Sequence, residues 1–174
     1  ADRRIGSINL DGTGAQTWST GPTSDPVSIA VGGDGLVYFT NFHSGSVQRL
    51  NPATGVISAP IGNFVGAFPD GILLGPDFPG DNAHDNNIWV ISEYNGVYRI
   101  EPNGNTATLV TSALSSNPGQ ATFGPDGLLW VSLHGGGRVA RVNPGTGALA
   151  GEVTLPNAPP NPVVGPAGIT TAPD

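Results

Sequence analysis

One stretch of the sequence decides the fold, because it is present twice. Residues 25–39 read DPVSIAVGGDGLVYF and residues 117–131 read NPGQATFGPDGLLWV, with twelve residues from the proline to the aromatic side chain in both. Further copies begin at Pro69 and at Pro166, so the repeat proline recurs every 43 to 49 residues. Such a period is typical of repeats that each contain four short strands.

The second half of the repeat is equally regular. Residues 45–55, GSVQRLNPATG, correspond to residues 137–147, GRVARVNPGTG. Each repeat holds four short runs with β-branched or aromatic residues, separated by Gly, Asn and Pro turns. The aliphatic residues of residues 47–50 and 139–142 do not alternate strictly, which favours strands that are covered on both faces. The sequence therefore predicts an all-β protein whose antiparallel four-stranded blades lean on one another around an axis, a β-propeller.

The repeat boundaries predict one propeller arc over residues 1–174, with about three full blades and two part blades. Fifteen strands are expected, and the arc is either part of a larger propeller or completes a ring by self-association, because an open arc leaves edges exposed. The segments are the end of a blade at 1–22, a blade at 23–63, a blade at 64–114 with an insertion at 77–87, a blade at 115–160 and the start of a blade at 161–174.

Composition excludes several classes of function. The 174 residues carry 13 acidic and six basic side chains, a net charge of −7, which argues against a nucleic-acid partner. The absence of Cys excludes disulfides and thiolate metal sites. A mean hydropathy of −0.04 with 37% hydrophobic residues argues against a membrane span. Since Met is absent and the sequence starts at Ala1, we expect a processed product that is secreted or periplasmic.

The repeat also resembles known families. Residues 124–131, GPDGLLWV, followed by residues 137–147, resemble repeats of the gluconolactonase and senescence-marker, NHL-repeat and virginiamycin B lyase families. The resemblance covers nearly all of the chain and implies a propeller of six or seven blades in the complete relatives. It is specific for fold, because the shared residues are those that build blades.

The resemblance also implies where chemistry would lie. In virginiamycin B lyase-like proteins a His follows the repeat proline in the catalytic blades, and here those positions hold other residues. Gluconolactonase-like proteins bind a metal through Pro-Asn-Gly and Pro-Asp-Gly phrases, and residues 69–71 match the second phrase. The positions after the four repeat prolines hold Val27, Asp70, Gly119 and Ala167.

Asp70 is the best single candidate from the sequence. The position after each repeat proline is expected near the entrance of the central channel, where propellers commonly bind ligands. A carboxylate there can ligate a divalent cation or accept a proton. The alternative is an Asp that stabilises an Asp-Gly turn.

Glu93 and His134 form a second candidate pair. Alignment of the second strands puts Phe42, Glu93 and His134 in one column, four residues beyond the aromatic residue of each repeat. A carboxylate and an imidazole at equivalent places on adjacent blades suit acid/base chemistry if both face one mouth. The alternative is that both are solvated turn residues.

The insertion offers hard oxygen ligands. Asp77, Asp81 and Asp85 lie among Asn residues, and together with Asp70 they are the candidate ligands for Ca²⁺ or another divalent cation, although the sequence leaves the cofactor open. The alternative is a solvated hairpin loop, for which Asn and Asp are ordinary residues.

The aromatic residues at one repeat position are Tyr38, Trp89 and Trp130. They are interpreted as packing between blades before a stacking platform for sugar. Taken together, the sequence predicts an extracellular recognition or scaffold module with a small-molecule, carbohydrate or protein partner and possible homo-oligomers. The competing hypothesis is a metal-dependent hydrolase or lyase, lactonase-like, that acts at the channel mouth.

Overall fold

The computed structural model describes residues 3–62, 64, 68–76, 86–94, 96–102, 104–156 and 166–171. Within these residues there is no helix, and hence none long and apolar enough to cross a membrane. The described strands are β1 (Arg4–Ser7), β2 (Gln16–Ser19), β3 (Pro26–Val31), β4 (Val37–Asn41), β5 (Ser46–Leu50), β6 (Pro69–Leu74), β7 (Ile88–Ser92), β8 (Gly96–Ile100), β9 (Ala107–Thr111), β10 (Pro118–Phe123), β11 (Leu129–Leu133), β12 (Arg138–Val142) and β13 (Leu149–Thr154).

The strands form four antiparallel sheets in which neighbours in sequence are neighbours in space. β1 and β2 form a two-stranded sheet, β3 to β5 a three-stranded sheet, and β6 to β9 and β10 to β13 a four-stranded sheet each. The first strands of successive sheets lie side by side, since β6 contacts both β3 and β10. This arrangement is that of propeller blades whose first strands converge toward one axis.

The repeated Gly-Asp-Gly and Pro-Asp-Gly phrases close the turn between the first and second strands. The Asp34 carboxylate accepts a hydrogen bond from the Leu36 N–H at 3.0 Å, and Asp126 accepts one from Leu128 at 3.1 Å. The glycine after each Asp has a positive φ, 77° at Gly35, which a residue with a side chain adopts only at a cost. The turn therefore depends on both residues of the Asp-Gly pair.

The hydrophobic core lies between the sheets. Along β7 all five residues are buried, and alternate side chains enter different clusters. Ile88 and Val90 pack with residues of β4 and β5, whereas Trp89 and Ile91 pack with residues of β11 and β12. The expectation that residues 47–50 and 139–142 are covered on both faces is met, since none of them is exposed. Trp89, with 0% of its surface exposed, packs between blades.

The expected fourth strand of the 23–63 repeat is not a continuous strand. Residues 56–61 join β5 through two isolated bridges. Pro60 has no N–H to donate to a ladder, and the Arg49 N–H is bonded to the Ser58 hydroxyl, at 3.0 Å, rather than to a backbone carbonyl. The strand expected near the C-terminus is also not found, since residues 166–171 contain none. Thirteen strands are therefore described, where the sequence predicted fifteen.

Candidate functional site

Three equivalent hydrogen bonds define one end of the sheets. In each repeat the N–H of the residue after the second strand donates to the carbonyl of the residue before the repeat proline. The three bonds are Phe42 to Asp25 at 3.3 Å, Glu93 to Phe68 at 2.9 Å and His134 to Asn117 at 2.7 Å. The predicted column of Phe42, Glu93 and His134 thus lies at one end of three successive sheets. We call this end, residues 25, 42–43, 68–70, 93–94, 117–119 and 134, the mouth edge.

Each first strand is irregular where it reaches the mouth edge. In the hairpins β3–β4, β6–β7 and β10–β11 the register shifts directly after the repeat proline, so the following residue lies in a β-bulge. Proline is tolerated as the first residue of a strand, and a bulge re-aims the side chain that follows it. The bulge residues are Val27, Asp70 and Gly119, of which Asp70 alone is titratable.

Asp70 and His134 lie close to each other at the mouth edge. Burial raises the pKa of the Asp70 carboxyl above its ordinary value of 3.8, and the charge of the nearby His134 imidazole acts in the opposite direction. The His134 ring packs on Gly119, where a Cβ atom would lie 2.9 Å from the ring carbon Cε1. Its Nε2 atom is buried and has no hydrogen-bond partner among the described residues. A half-buried acid beside an imidazole is an arrangement that can move a proton.

Glu93 lies apart from this pair. It lines a cleft of about 190 Å³ between the end of β7 and the connection from β9 to β10, together with Tyr94 and several serines. No hydrogen bond or ion pair between Glu93 and His134 is present in the described part of the chain. The structure therefore brings Asp70 together with His134, and places Glu93 in a neighbouring cleft.

The metal site expected in the insertion falls on Asp77, Asp81 and Asp85. Asp77, Asp81 and Asp85 lie outside the described residues, whereas Asp70, the fourth member of that set, is described. Among the described residues no three His, Asp or Glu side chains are placed to share an ion. A divalent-cation site therefore stays a prediction.

Sequence reasoning missed a row of aromatic side chains at the mouth edge. The Phe42 and Phe68 ring centroids are 4.9 Å apart, and those of Phe68 and Tyr94 are 5.4 Å apart. The His43 ring packs edge-on against Phe42 and contacts the Asp25 carboxylate. The sequence did carry a signal, since one ring follows a second strand and another precedes a repeat proline, and these two kinds of position meet at this edge. We call Phe42, Phe68 and Tyr94 the aromatic row.

Comparison with solved structures places this fold among known propellers. Virginiamycin B lyase from Staphylococcus aureus superposes with a TM-score of 0.72 at 24% identity, over 93% of this chain and 52% of the lyase chain. A catalytically inactive variant of that lyase with quinupristin gives 0.71 at 23% identity, over 90% and 50%. Hydrazine synthase from Kuenenia stuttgartiensis gives 0.71 at 17% identity, over 88% and 43%. No protein-family model and no curated protein sequence matches the chain.

The predicted all-β partial propeller and its likeness to the virginiamycin B lyase group are confirmed at the level of fold. The resemblance to NHL-repeat and gluconolactonase proteins stays a prediction. The chain spans about half the length of the lyases that it matches. Because one fold hosts many chemistries, function has to be argued from the residues at the mouth edge.

Proposed function

We propose that this propeller module recognises a small molecule at the mouth edge. The observation that carries the proposal is the aromatic row, in which three rings from two adjacent sheets touch in succession at the mouth edge. Tyr94, 57% exposed, keeps much of its surface available to a ligand. Large, rigid side chains of this kind contribute contact area at a low cost in conformational entropy.

The polar groups around the row suit an amphipathic ligand. Asp70 and Glu93 lie at the mouth edge with the aromatic row and provide carboxylate acceptors. Binding sites for small molecules typically combine an apolar surface with a few convergent polar groups. We therefore expect a ligand with an aromatic or apolar body and at least one hydrogen-bond donor.

The test uses the full chain, labelled with ¹⁵N, and three fragments of similar size: benzyl alcohol, benzylamine and benzoate. We expect at least one fragment to shift amide resonances of residues 42–43, 68 and 93–94. Replacement of Tyr94 by Ala should weaken that binding about fivefold, because an aromatic contact is lost. The matched control, Leu109→Ala, removes a similarly exposed apolar side chain on β9. If no fragment shifts resonances at the mouth edge, the proposal is wrong.

A second candidate function is acid/base catalysis by Asp70 and His134. It is supported by the raised pKa of Asp70 and by the unpartnered Nε2 atom of His134. It also agrees with the likeness in fold to virginiamycin B lyase, a catalytically inactive variant of which has been solved with quinupristin. On this hypothesis the chain is part of a lactonase-like hydrolase or lyase that works with the help of a divalent cation, and quinupristin is a test substrate.

Chromatography of quinupristin after incubation with the chain and Mg²⁺ or Ca²⁺ tests this candidate. Catalysis predicts a new species with wild-type protein, and a rate at least about a hundredfold lower with Asp70→Asn, since general acid–base groups contribute on that order. Binding without a new species would favour the recognition module.

We also propose self-association, whereas the secreted or periplasmic location expected from the sequence stays a prediction. Self-association is supported by one side of β3, where Val27, Ile29 and Val31 are 54%, 52% and 61% exposed. We call this side the outer side of β3. These three side chains adjoin apolar grooves of about 260 and 250 Å³ that Ile5 also lines. The occupant that we propose for this face is a second copy of the chain.

A further inference from the structure

The cleft that contains Glu93 has a composition unlike that of the aromatic row. It has a volume of about 190 Å³ and lies beside the mouth edge, under the connection from β9 to β10. Tyr94 belongs both to the cleft and to the aromatic row, so the two are continuous. Polar side chains lining the cleft are those of Glu93, Tyr94, Ser112, Ser115, Ser116 and Asn117.

Two of the serines already donate their hydroxyl protons to other groups of the protein. The Ser115 hydroxyl donates to Glu152 Oε2 at 2.5 Å, and the Ser116 hydroxyl donates to the carbonyl oxygen of His134. A hydroxyl has one proton and two lone pairs, so a serine that donates elsewhere can offer only acceptors to a ligand. Ser115 and Ser116 are therefore set up to receive hydrogen bonds and not to give them.

The Glu93 carboxylate adds a third acceptor and a negative charge. It is half-buried, and no hydrogen bond or ion pair joins its side chain to another described residue. Among the described residues, none that lines the cleft is basic. Arg138, which reaches Ser115, is paired with Glu152 at 3.2 Å. Within the described part of the chain, the charge of Glu93 is thus left without a protein cation.

We propose that this cleft binds a primary ammonium group of the ligand, with Glu93 as its counter-ion. An ammonium has three protons to donate and no lone pair, which complements a lining of acceptors. The Tyr94 ring adds a cation–π contact at the opening of the cleft. The inference rests on the proposed recognition function and specifies its ligand class: an amine with an apolar or aromatic body that reaches the aromatic row.

The experiment compares benzylamine with benzyl alcohol, which have the same ring and differ in the charged group. At neutral pH and low salt we expect benzylamine to bind the full chain at least about tenfold more tightly, the ratio that corresponds to one charge-assisted hydrogen bond. Glu93→Gln should reduce the affinity for benzylamine to about that for benzyl alcohol. It should weaken the alcohol much less, because the hydroxyl of the alcohol can still donate a hydrogen bond to the amide oxygen of the substituted side chain. The matched control, Glu101→Gln, removes the same charge from an exposed residue at the opposite end of the sheet and should change neither.

The outcomes separate this inference from the function on which it rests. If both fragments shift the mouth edge with equal affinity, the ammonium site is wrong and the recognition function stands. If neither fragment binds, the ammonium site is wrong, and the recognition function is also wrong if benzoate fails to bind as well. A preference for benzylamine that survives in Glu93→Gln would also overturn the inference, because the counter-ion would then lie elsewhere. Retained binding of benzyl alcohol by Glu93→Gln shows that the variant is folded.

Discussion

Asp70 lies in a Pro-Asp-Gly sequence of the kind found in turns, and its surroundings in the fold change the pKa of its carboxyl. The phrase Pro-Asp-Gly at residues 69–71 indicated a residue near the channel entrance, and the structure places it in the bulge of β6 at the mouth edge. The sequence could not predict that its carboxyl is partly buried near His134, because His134 belongs to the next repeat. Burial disfavours the charged carboxylate, and this is the main reason why the pKa of Asp70 is raised.

The raised pKa leads to a prediction about stability. Folded Asp70 keeps its proton to higher pH than unfolded Asp70, so its contribution to the free energy of unfolding falls as the pH rises from 3.8 through the folded pKa. An asparagine side chain at this position cannot ionise and avoids this cost. We expect Asp70→Asn to be more stable than the wild type at neutral pH, by less than about 1 kcal/mol because the group is partly solvated. Urea unfolding of both proteins between about pH 3 and pH 7 measures the difference.

A second variant checks the cause. The charge of His134 opposes the shift of Asp70, so His134→Gln should move the pKa of Asp70 further upward in a ¹³C NMR titration of its carboxyl. If instead the wild type gains stability over Asp70→Asn as the pH rises, the carboxylate is stabilised in the folded state and burial is not the dominant cause.

At the scale of the strand, β6 and β10 approach each other closely at two glycines, Gly71 and Gly119. A Cβ atom at Gly71 would lie 2.8 Å from the carbonyl oxygen of Gly119 and 3.1 Å from the Cβ atom of Ile91. The first contact is with backbone, which cannot move aside cheaply. Since φ at Gly71 is not positive, its requirement is for space and not for conformational freedom.

Gly71→Ala should therefore destabilise the protein by about 1 to 3 kcal/mol, the usual cost of overpacking. Gly168→Ala is the matched control, because a Cβ atom there meets nothing within 4 Å and φ is not positive. Both changes restrict the unfolded chain alike, so the difference between them in chemical denaturation isolates the clash. Equal stability of the two variants would show that β6 and β10 can separate without cost.

The strands themselves were predictable where sequence and backbone hydrogen bonding agree. Local rules predicted the Asp-Gly turns and the position of the repeat proline at the start of β3, β6 and β10. They also predicted the strands that are covered on both faces. The predicted strand was wrong over residues 56–61, where the Ser58 hydroxyl accepts the Arg49 N–H and Pro60 has no N–H to donate, so a regular ladder of backbone hydrogen bonds does not form. It also missed the aromatic row, because Phe42 and Phe68 are 26 positions apart in sequence and meet only when two blades pack.

At the scale of the whole molecule, the same repeat position is buried in one sheet and exposed in another. Ile72 in β6 is 7% exposed and packs on residues of the preceding sheet, whereas Ile29, its counterpart in β3, is 52% exposed. The sheet that precedes β3 has only two strands, β1 and β2, in the described part of the chain. The repeat could predict that this side of each first strand is apolar, and only the arrangement of the sheets shows where it is left open.

This open side predicts association of the chain with itself. Residues 166–171 have the sequence that begins the first strand of a repeat, but they do not form a strand. The sheet before β3 has no first strand in the described part of the chain, so a second copy carries a segment of the kind that is missing there. Light scattering at tens of micromolar should give a mass of about twice 17.6 kDa, because burying exposed Val and Ile side chains favours association. Ile29→Glu, which places a charge on the face, should return the mass to that of one chain. Leu109→Glu, at a position that is 49% exposed on β9, should behave as the wild type. A wild-type protein that remains at 17.6 kDa would show that the outer side of β3 does not bind a second copy.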